Sequence, residues 1–190
     1  MGFSRAELES FRDQTVPDLI GPGLQLLFVG INPGLWTAAT QTHFAHPSNR
    51  FYPALLRSGL IEREIDRSAG FTDEDRRHLI ERGIGISNLV RRATARASEL
   101  SADELREGGA ALIENVDAWR PRVVAVCGIT AYRTAFGRTR SSLGQQDERM
   151  GDTALWVVPN PSGLNAHETI DSLADWFILV GQAAGLLPKS

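Results

Sequence analysis

Cysteine, lysine and long apolar runs are all scarce in this chain of 190 residues. Cys127 is the only cysteine, which excludes an internal disulfide and any zinc or iron–sulfur site built from several thiolates. A reducing, cytoplasmic compartment is the expected setting. No stretch approaches the roughly 20 apolar residues needed to cross a bilayer, and Glu7, Glu9 and Asp13 occupy the region where a secretory leader would carry its apolar core. No membrane association is expected. Lysine occurs once, as Lys189 in the tail, so chemistry that needs a Schiff base has no other side-chain amine to use. Neither G-x-G-x-x-G nor G-x-x-x-x-G-K-[ST] occurs, and no acid is clearly placed for a ribose, which weakens a Rossmann-like nucleotide-binding reading.

The 42% hydrophobic content suffices for one core, and a single domain over 1–190 is expected, with 1–15 as a helical extension. The net charge of −3 conceals an uneven distribution. Residues 82–98 carry Arg82, Arg91, Arg92 and Arg96, and 118–146 carry Arg120, Arg122, Arg133, Arg138 and Arg140, with no acid in either segment. These nine arginines leave −12 for the rest of the chain (−3 minus +9), an asymmetry that can produce a basic face on an acidic protein. A general preference for arginine over lysine accounts for the same count without any partner.

Periodicity and punctuation predict alternating strands and helices. The capping box Ser4-Arg5-Ala6-Glu7, followed by Leu8 and Phe11, opens a short helix. Leu24–Ile31 reads as a buried strand, followed by a polar, aromatic-containing loop through His46 and a helix beginning or bending near Pro53. Thr72–Arg82 reads as a helix with acids in its first turn, Ile84–Val90 as a strand, and Ser101–Trp119 as a capped helix. Val123–Cys127 is a third strand, Thr130 a cap for a short helix through Phe136, the stretch to Asp152 irregular, Ala154–Val158 a fourth strand, and 166–181 the last helix. The expected fold is therefore α/β: a three-layer α/β/α sandwich on a mostly parallel sheet of about four strands. Ligands of such sheets bind at the carboxyl ends of the strands, where Asn32, Asn88, Gly128 and Asn160 all fall.

Two of those ends carry related strings, Gly30-Ile31-Asn32-Pro33-Gly34 and Asn160-Pro161-Ser162-Gly163-Leu164. A following proline biases each Asn toward extended backbone, and glycine permits close approach of a ligand. One site made from two loops is the implied geometry.

The string GINPGLWTAATQTHFAHPSNRF at 30–51 resembles the first motif of mismatch-specific uracil-DNA glycosylases, the branch that includes thymine-DNA glycosylase, and NPSGL at 160–164 resembles its second. The resemblance runs from about Val16 to the last helix. It implies an enzyme that flips uracil out of double-stranded DNA, notably from a G:U mismatch, and hydrolyses its bond to deoxyribose without a cofactor or metal. A monomer working on bacterial nucleoid DNA is implied as well. Asn32 matches the catalytic Asn. Its carboxamide does not ionise near neutral pH, so it positions water rather than deprotonating it. Phe44 matches the aromatic that stacks on the flipped base, where an arbitrary Phe would be read as core. Gly30 and Ile31 are expected to offer backbone groups to the pyrimidine edge, Thr37 a hydroxyl, and Asn160 to border the base.

Asn88 stands where some members carry Lys, giving either a neutral pocket or an ordinary loop Asn. Gly163 and Leu164 match the residues that enter the duplex, with Leu164 as the wedge. Ser162 is placed to bind a phosphate or to cap the last helix. Asn165 and Ala166 depart from the Ser-Arg ending common in the branch, and His167 either replaces that Arg or is a solvated residue at a helix start. With Lys189 the only lysine, the implied reaction is hydrolysis without strand cleavage, unless the N-terminal amine takes part. A non-catalytic damaged-base binder and a hydrolase of free nucleosides are the competing functions; the latter would not need Leu164.

Overall fold

The computed structural model describes residues 2–189. Its strands are β1 (Leu26–Gly30), β2 (Ile84–Asn88), β3 (Val123–Cys127), β4 (Gly144–Met150) and β5 (Thr153–Val158). Its helices are α1 (Arg5–Glu9), α2 (Leu35–Thr40), α3 (Phe51–Ser58), α4 (Asp73–Glu81), α5 (Ala102–Trp119), α6 (Ile129–Phe136) and α7 (Ile170–Ala183). The sheet order is β2-β1-β3-β5-β4, parallel except for the antiparallel β4–β5 pair.

Strands β1 and β3 are buried at every residue because alternate side chains feed two cores. Leu26, Phe28, Ile84, Ile86, Val123 and Ala125 pack with Phe51 and Leu55 of α3, Leu79 of α4, and Leu173, Phe177 and Val180 of α7. On the other face Leu27, Val29, Val124, Val126, Leu155 and Val157 pack with Leu112 and Val116 of α5 and Ala131, Tyr132 and Ala135 of α6. The result is the expected three-layer α/β/α sandwich.

The sheet has five strands rather than about four. The addition, β4, is the sequence Gly-Gln-Gln-Asp-Glu-Arg-Met, which lacks any apolar alternation and so read as irregular. An edge strand needs a partner on one side only, and its charges discourage further pairing. Two helix starts also move. Gly128, not Thr130, precedes α6, and α7 begins at Ile170, where the Thr169 hydroxyl accepts from the Ser172 amide at 3.1 Å. The capping boxes at Ser4 and Ser101 form as expected, and Thr72 forms a further one with Asp75. Within the loop after β1 lies the short α2, held by buried Leu35 and Ala38.

The chain turns one way from β1 to β2 and the other way to β3, so the switch point lies beside the end of β1. Asn32 follows that end directly.

Candidate active site

Asn32 is fixed by its amide nitrogen, which donates to the Arg92 carbonyl at 3.0 Å and to Thr94 Oγ1 at 2.8 Å. Thr94 is buried, and its own hydroxyl donates to the Arg96 carbonyl at 2.8 Å, so only a lone pair faces Asn32. Rotating the carboxamide by half a turn would set its oxygen against two acceptors. Asn32 Oδ1 is therefore the outward atom, and it takes no hydrogen bond among the described residues. A water held there would be oriented by an acceptor that neither titrates nor swings.

Beside it the end of β1 meets an aromatic and a second amide. A Cβ on Gly30 would lie 2.5 Å from Asn88 Oδ1 and 3.2 Å from Phe44 Cζ, so only glycine lets these three surfaces converge. Phe44 is half-buried and stacks on Phe51 with centroids 4.2 Å apart. Its backbone has φ of 55°, a left-handed conformation that costs a non-glycine residue about 1 kcal/mol or more. The flanking peptides hold it there. The Tyr52 hydroxyl donates to the His43 carbonyl at 2.7 Å, and the Ala45 amide donates to Thr37 Oγ1 at 3.4 Å.

Thr37 is buried, and its hydroxyl accepts from the Ala45 amide and so braces the Phe44 turn. The carbonyls of Gly30 and Ile31 already accept from the Leu89 and Val90 amides at 2.9 Å each, so the chain uses them to carry the loop after β2.

His43 orients Asn88. Its Nε2 lies 2.8 Å from the Pro17 carbonyl, which can only accept, so Nε2 carries the proton and Nδ1 is left as an acceptor. Asn88 Nδ2 lies 3.2 Å from that Nδ1, which directs Asn88 Oδ1 toward Gly30 and Phe44. The Asn88 side-chain oxygen is thereby presented as an acceptor beside Gly30 and Phe44. Burial lowers the His43 pKa from 6.5 and keeps the ring neutral. Because the unfolded chain binds the proton more readily, stability present above pH 6.5 should be lost as pH falls toward the folded value. Thermal melts between pH 7.5 and 5 should show that decline, and His43→Gln should flatten it. Gly30→Ala should cost about 1–3 kcal/mol in the same melts, the usual range for overpacking.

The second loop is pinned to the first. Arg50 donates from its amide to the Pro161 carbonyl at 2.9 Å and from Nη1 to the carbonyls of Ser162 at 3.2 Å and Asn165 at 2.9 Å. A Cβ on Gly163 would fall 2.7 Å from the Ser48 carbonyl oxygen, so the loops touch through their backbones. Asn160 Oδ1 accepts from the Ser162 amide at 3.0 Å, Ser162 Oγ accepts from the Leu164 amide at 3.2 Å, and Asn165 Nδ2 donates to the Asn160 carbonyl at 3.0 Å. Ser162 therefore shapes the loop and does not cap α7. His167, likewise ahead of α7 rather than at its start, is exposed, its amide donating to Asn165 Oδ1 at 3.2 Å. Leu164 projects from the tip with 90% of its surface exposed.

Four of the nine arginines in the two basic segments pair with acids from outside those segments. Arg82 pairs with Glu62, Arg91 with Asp18, Arg92 with Asp13 and Glu104, and Arg138 with Glu148. The Arg92 guanidinium holds the Glu104 carboxyl down at about 2. Arg50, Arg92, Thr94 and His43 all escape a reading by residue type. Arg50 and His43 lie within the first string, whereas Thr94 carries no sequence signal.

A three-layer sandwich with two Asn-Pro loops over a switch point, an aromatic face and an oriented amide defines an α/β protein with one site built from two loops at the strand ends. Residues 17–178 match the uracil DNA glycosylase superfamily, and the chain belongs to it. Its fold is shared with the solution NMR structure of a candidate uracil DNA glycosylase from Methanosarcina acetivorans, at a TM-score of 0.62 and 15% identity over 90% of this chain and 98% of that one. Membership supports a DNA glycosylase that hydrolyses N-glycosidic bonds.

Proposed function

We propose that this protein removes uracil from double-stranded DNA, uracil opposite guanine above all, by hydrolysis that leaves an abasic site and an uncut strand. The observation that carries the reading is the Asn32 carboxamide, locked with Oδ1 outward beside the converging surfaces of Gly30, Phe44 and Asn88. Breaking the bond leaves positive charge on the sugar and negative charge on the departing pyrimidine. Asn32 Oδ1 accepts a hydrogen bond from the water that attacks the sugar, while Asn88 Oδ1 accepts from the ring N–H and Phe44 stacks on the base. Stacking of this kind is worth about 1–3 kcal/mol and tolerates several bases.

Asn32 is uncharged and adds little to stabilising the cationic sugar, so labile leaving groups are favoured. Lys189, beyond α7, is the only lysine, which supports hydrolysis rather than Schiff-base strand cleavage. The N-terminal amine belongs to Met1, outside the described residues.

The test is incubation with duplexes carrying uracil opposite guanine, uracil opposite adenine, or thymine opposite guanine, followed by alkali. Breaks at uracil opposite guanine, appearing only after alkali, are expected. Breaks without alkali would overturn the monofunctional assignment. Binding of the uracil duplex with no breaks would instead identify a non-catalytic damaged-base binder.

A further inference from the structure

The superfamily match starts at residue 17, yet the segment before it is built into the support of Asn32. Asp13 donates from its amide to the Ala93 carbonyl, and the Ala93 amide donates to the Gln14 carbonyl, both at 2.9 Å, with Thr15 bridged antiparallel to Arg92. Side chains repeat the tie. Asp13 pairs with Arg92 at 3.0 Å, and Arg12 pairs with Glu9 at 2.8 Å and also with Glu99. Leu8 and Phe11 pack on a small core of Val16, Leu35, Ala38 and Ala93.

This segment therefore grips both neighbours of Asn32. On one side is α2, which begins three residues after it. On the other is Arg92–Thr94, whose Arg92 carbonyl and Thr94 hydroxyl receive the Asn32 amide. Asp13 holds φ of 64°, a strained turn that places its amide on Ala93 and its carboxylate on Arg92.

We propose that residues 4–15 form a strap that positions the Asn32 carboxamide by fixing Arg92–Thr94, so that the segment outside the family region is a positioning element of the active site. The proposal rests on the glycosylase reading for its kinetic consequences and on the hydrogen bonds alone for its spectroscopic one.

The test uses the full chain with Asp13→Pro, which removes the donor to Ala93 and forbids a positive φ, and Asp13→Gly, which keeps the turn and removes only the carboxylate. Asp13→Pro should lower kcat about tenfold or more with KM within about twofold, since a small misplacement of a reacting group is costly while DNA contacts are untouched. Asp13→Gly should recover at least about a third of wild-type kcat. In NMR spectra the two Asn32 Nδ2 proton signals, separated in the wild type by their unlike acceptors, should converge in Asp13→Pro and stay apart in Asp13→Gly.

Unchanged kcat and unchanged Asn32 signals in Asp13→Pro would overturn the strap, as would a loss confined to KM. If melts show Asp13→Pro unfolded, Phe11→Ala decides, with a kcat fall of about threefold or more expected and none overturning the proposal. A wild type inactive on every duplex would refute the glycosylase reading, whereas the Asn32 signals would still judge the strap.

Discussion

Asn32→Ala should lower kcat for uracil excision about 10²–10³-fold in single-turnover assays while KM for duplex DNA stays within about threefold. The split follows from the geometry. In the proposed reading the carboxamide holds the attacking water, and its own hydrogen bonds go to the framework behind it and not to the second loop, so its removal spares binding and disorders the nucleophile. The variant also deprives the Arg92 carbonyl and Thr94 hydroxyl of a donor, at about 1 kcal/mol of stability in a melt. That loss is too small to explain a hundredfold fall in rate, so the two measurements separate chemistry from folding. A kcat within about threefold of wild type would remove Asn32 from the reaction.

The same hydrogen bonds set the expectation for Asn32→Asp. A carboxylate would face the cationic sugar favourably, but one of its oxygens would stand where Nδ2 now donates, about 3 Å from the Arg92 carbonyl. Two acceptors at that distance repel unless the acid is protonated or rotates away. Asn32→Asp should therefore not exceed wild type near neutral pH. A variant faster than wild type there would mean that the Arg92–Thr94 support is soft.

These framework residues mark where sequence reasoning stopped. The strands of the fold were legible wherever burial on both faces made them continuously apolar, as in Leu26–Val29 and Val123–Cys127. The edge strand β4 was not, because one-sided pairing at the sheet margin leaves no hydrophobic signature. In the candidate site, Asn32, Phe44, Gly30 and Leu164 could be named as candidates because the resemblance attaches them to residue type within a motif. The bracing contact of Thr37 with Ala45 could not be read from type, since a hydroxyl serves a ligand or a neighbouring amide equally well. Thr94 and Asp13 lie 62 and 19 positions from Asn32, Thr94 meeting it through its hydroxyl and Asp13 pairing by its backbone with Ala93, and contacts made only by folding leave no periodic trace. The ion pairs of the basic segments were hidden for a related reason: Asp18 and Glu104 reach Arg91 and Arg92 by folding, not by adjacency.

Leu164→Ala should lower kcat/KM on duplex DNA by about 10–100-fold, the equivalent of withdrawing roughly 1.5–3 kcal/mol of apolar burial. A single exposed leucine is ordinary on a protein surface and argues nothing by itself. What distinguishes Leu164 is that its support is rigid while its side chain is bare. Ser162 Oγ accepts from its amide, Arg50 clamps the carbonyls of Ser162 and Asn165 on either side of it, and Gly163 rests on Ser48. A tip already ordered loses little freedom on entering the helix, so most of its burial counts toward the few kcal/mol that unstacking costs. Since the side chain is 90% exposed in the free protein, Leu164→Ala should change stability by no more than about 0.5 kcal/mol. On single-stranded uracil DNA there is no gap to fill, and the variant should match wild type within about threefold. Equal losses on both substrates would show that Leu164 shapes the loop instead of filling the duplex, and no loss on either would leave the second Asn-Pro loop without its wedge.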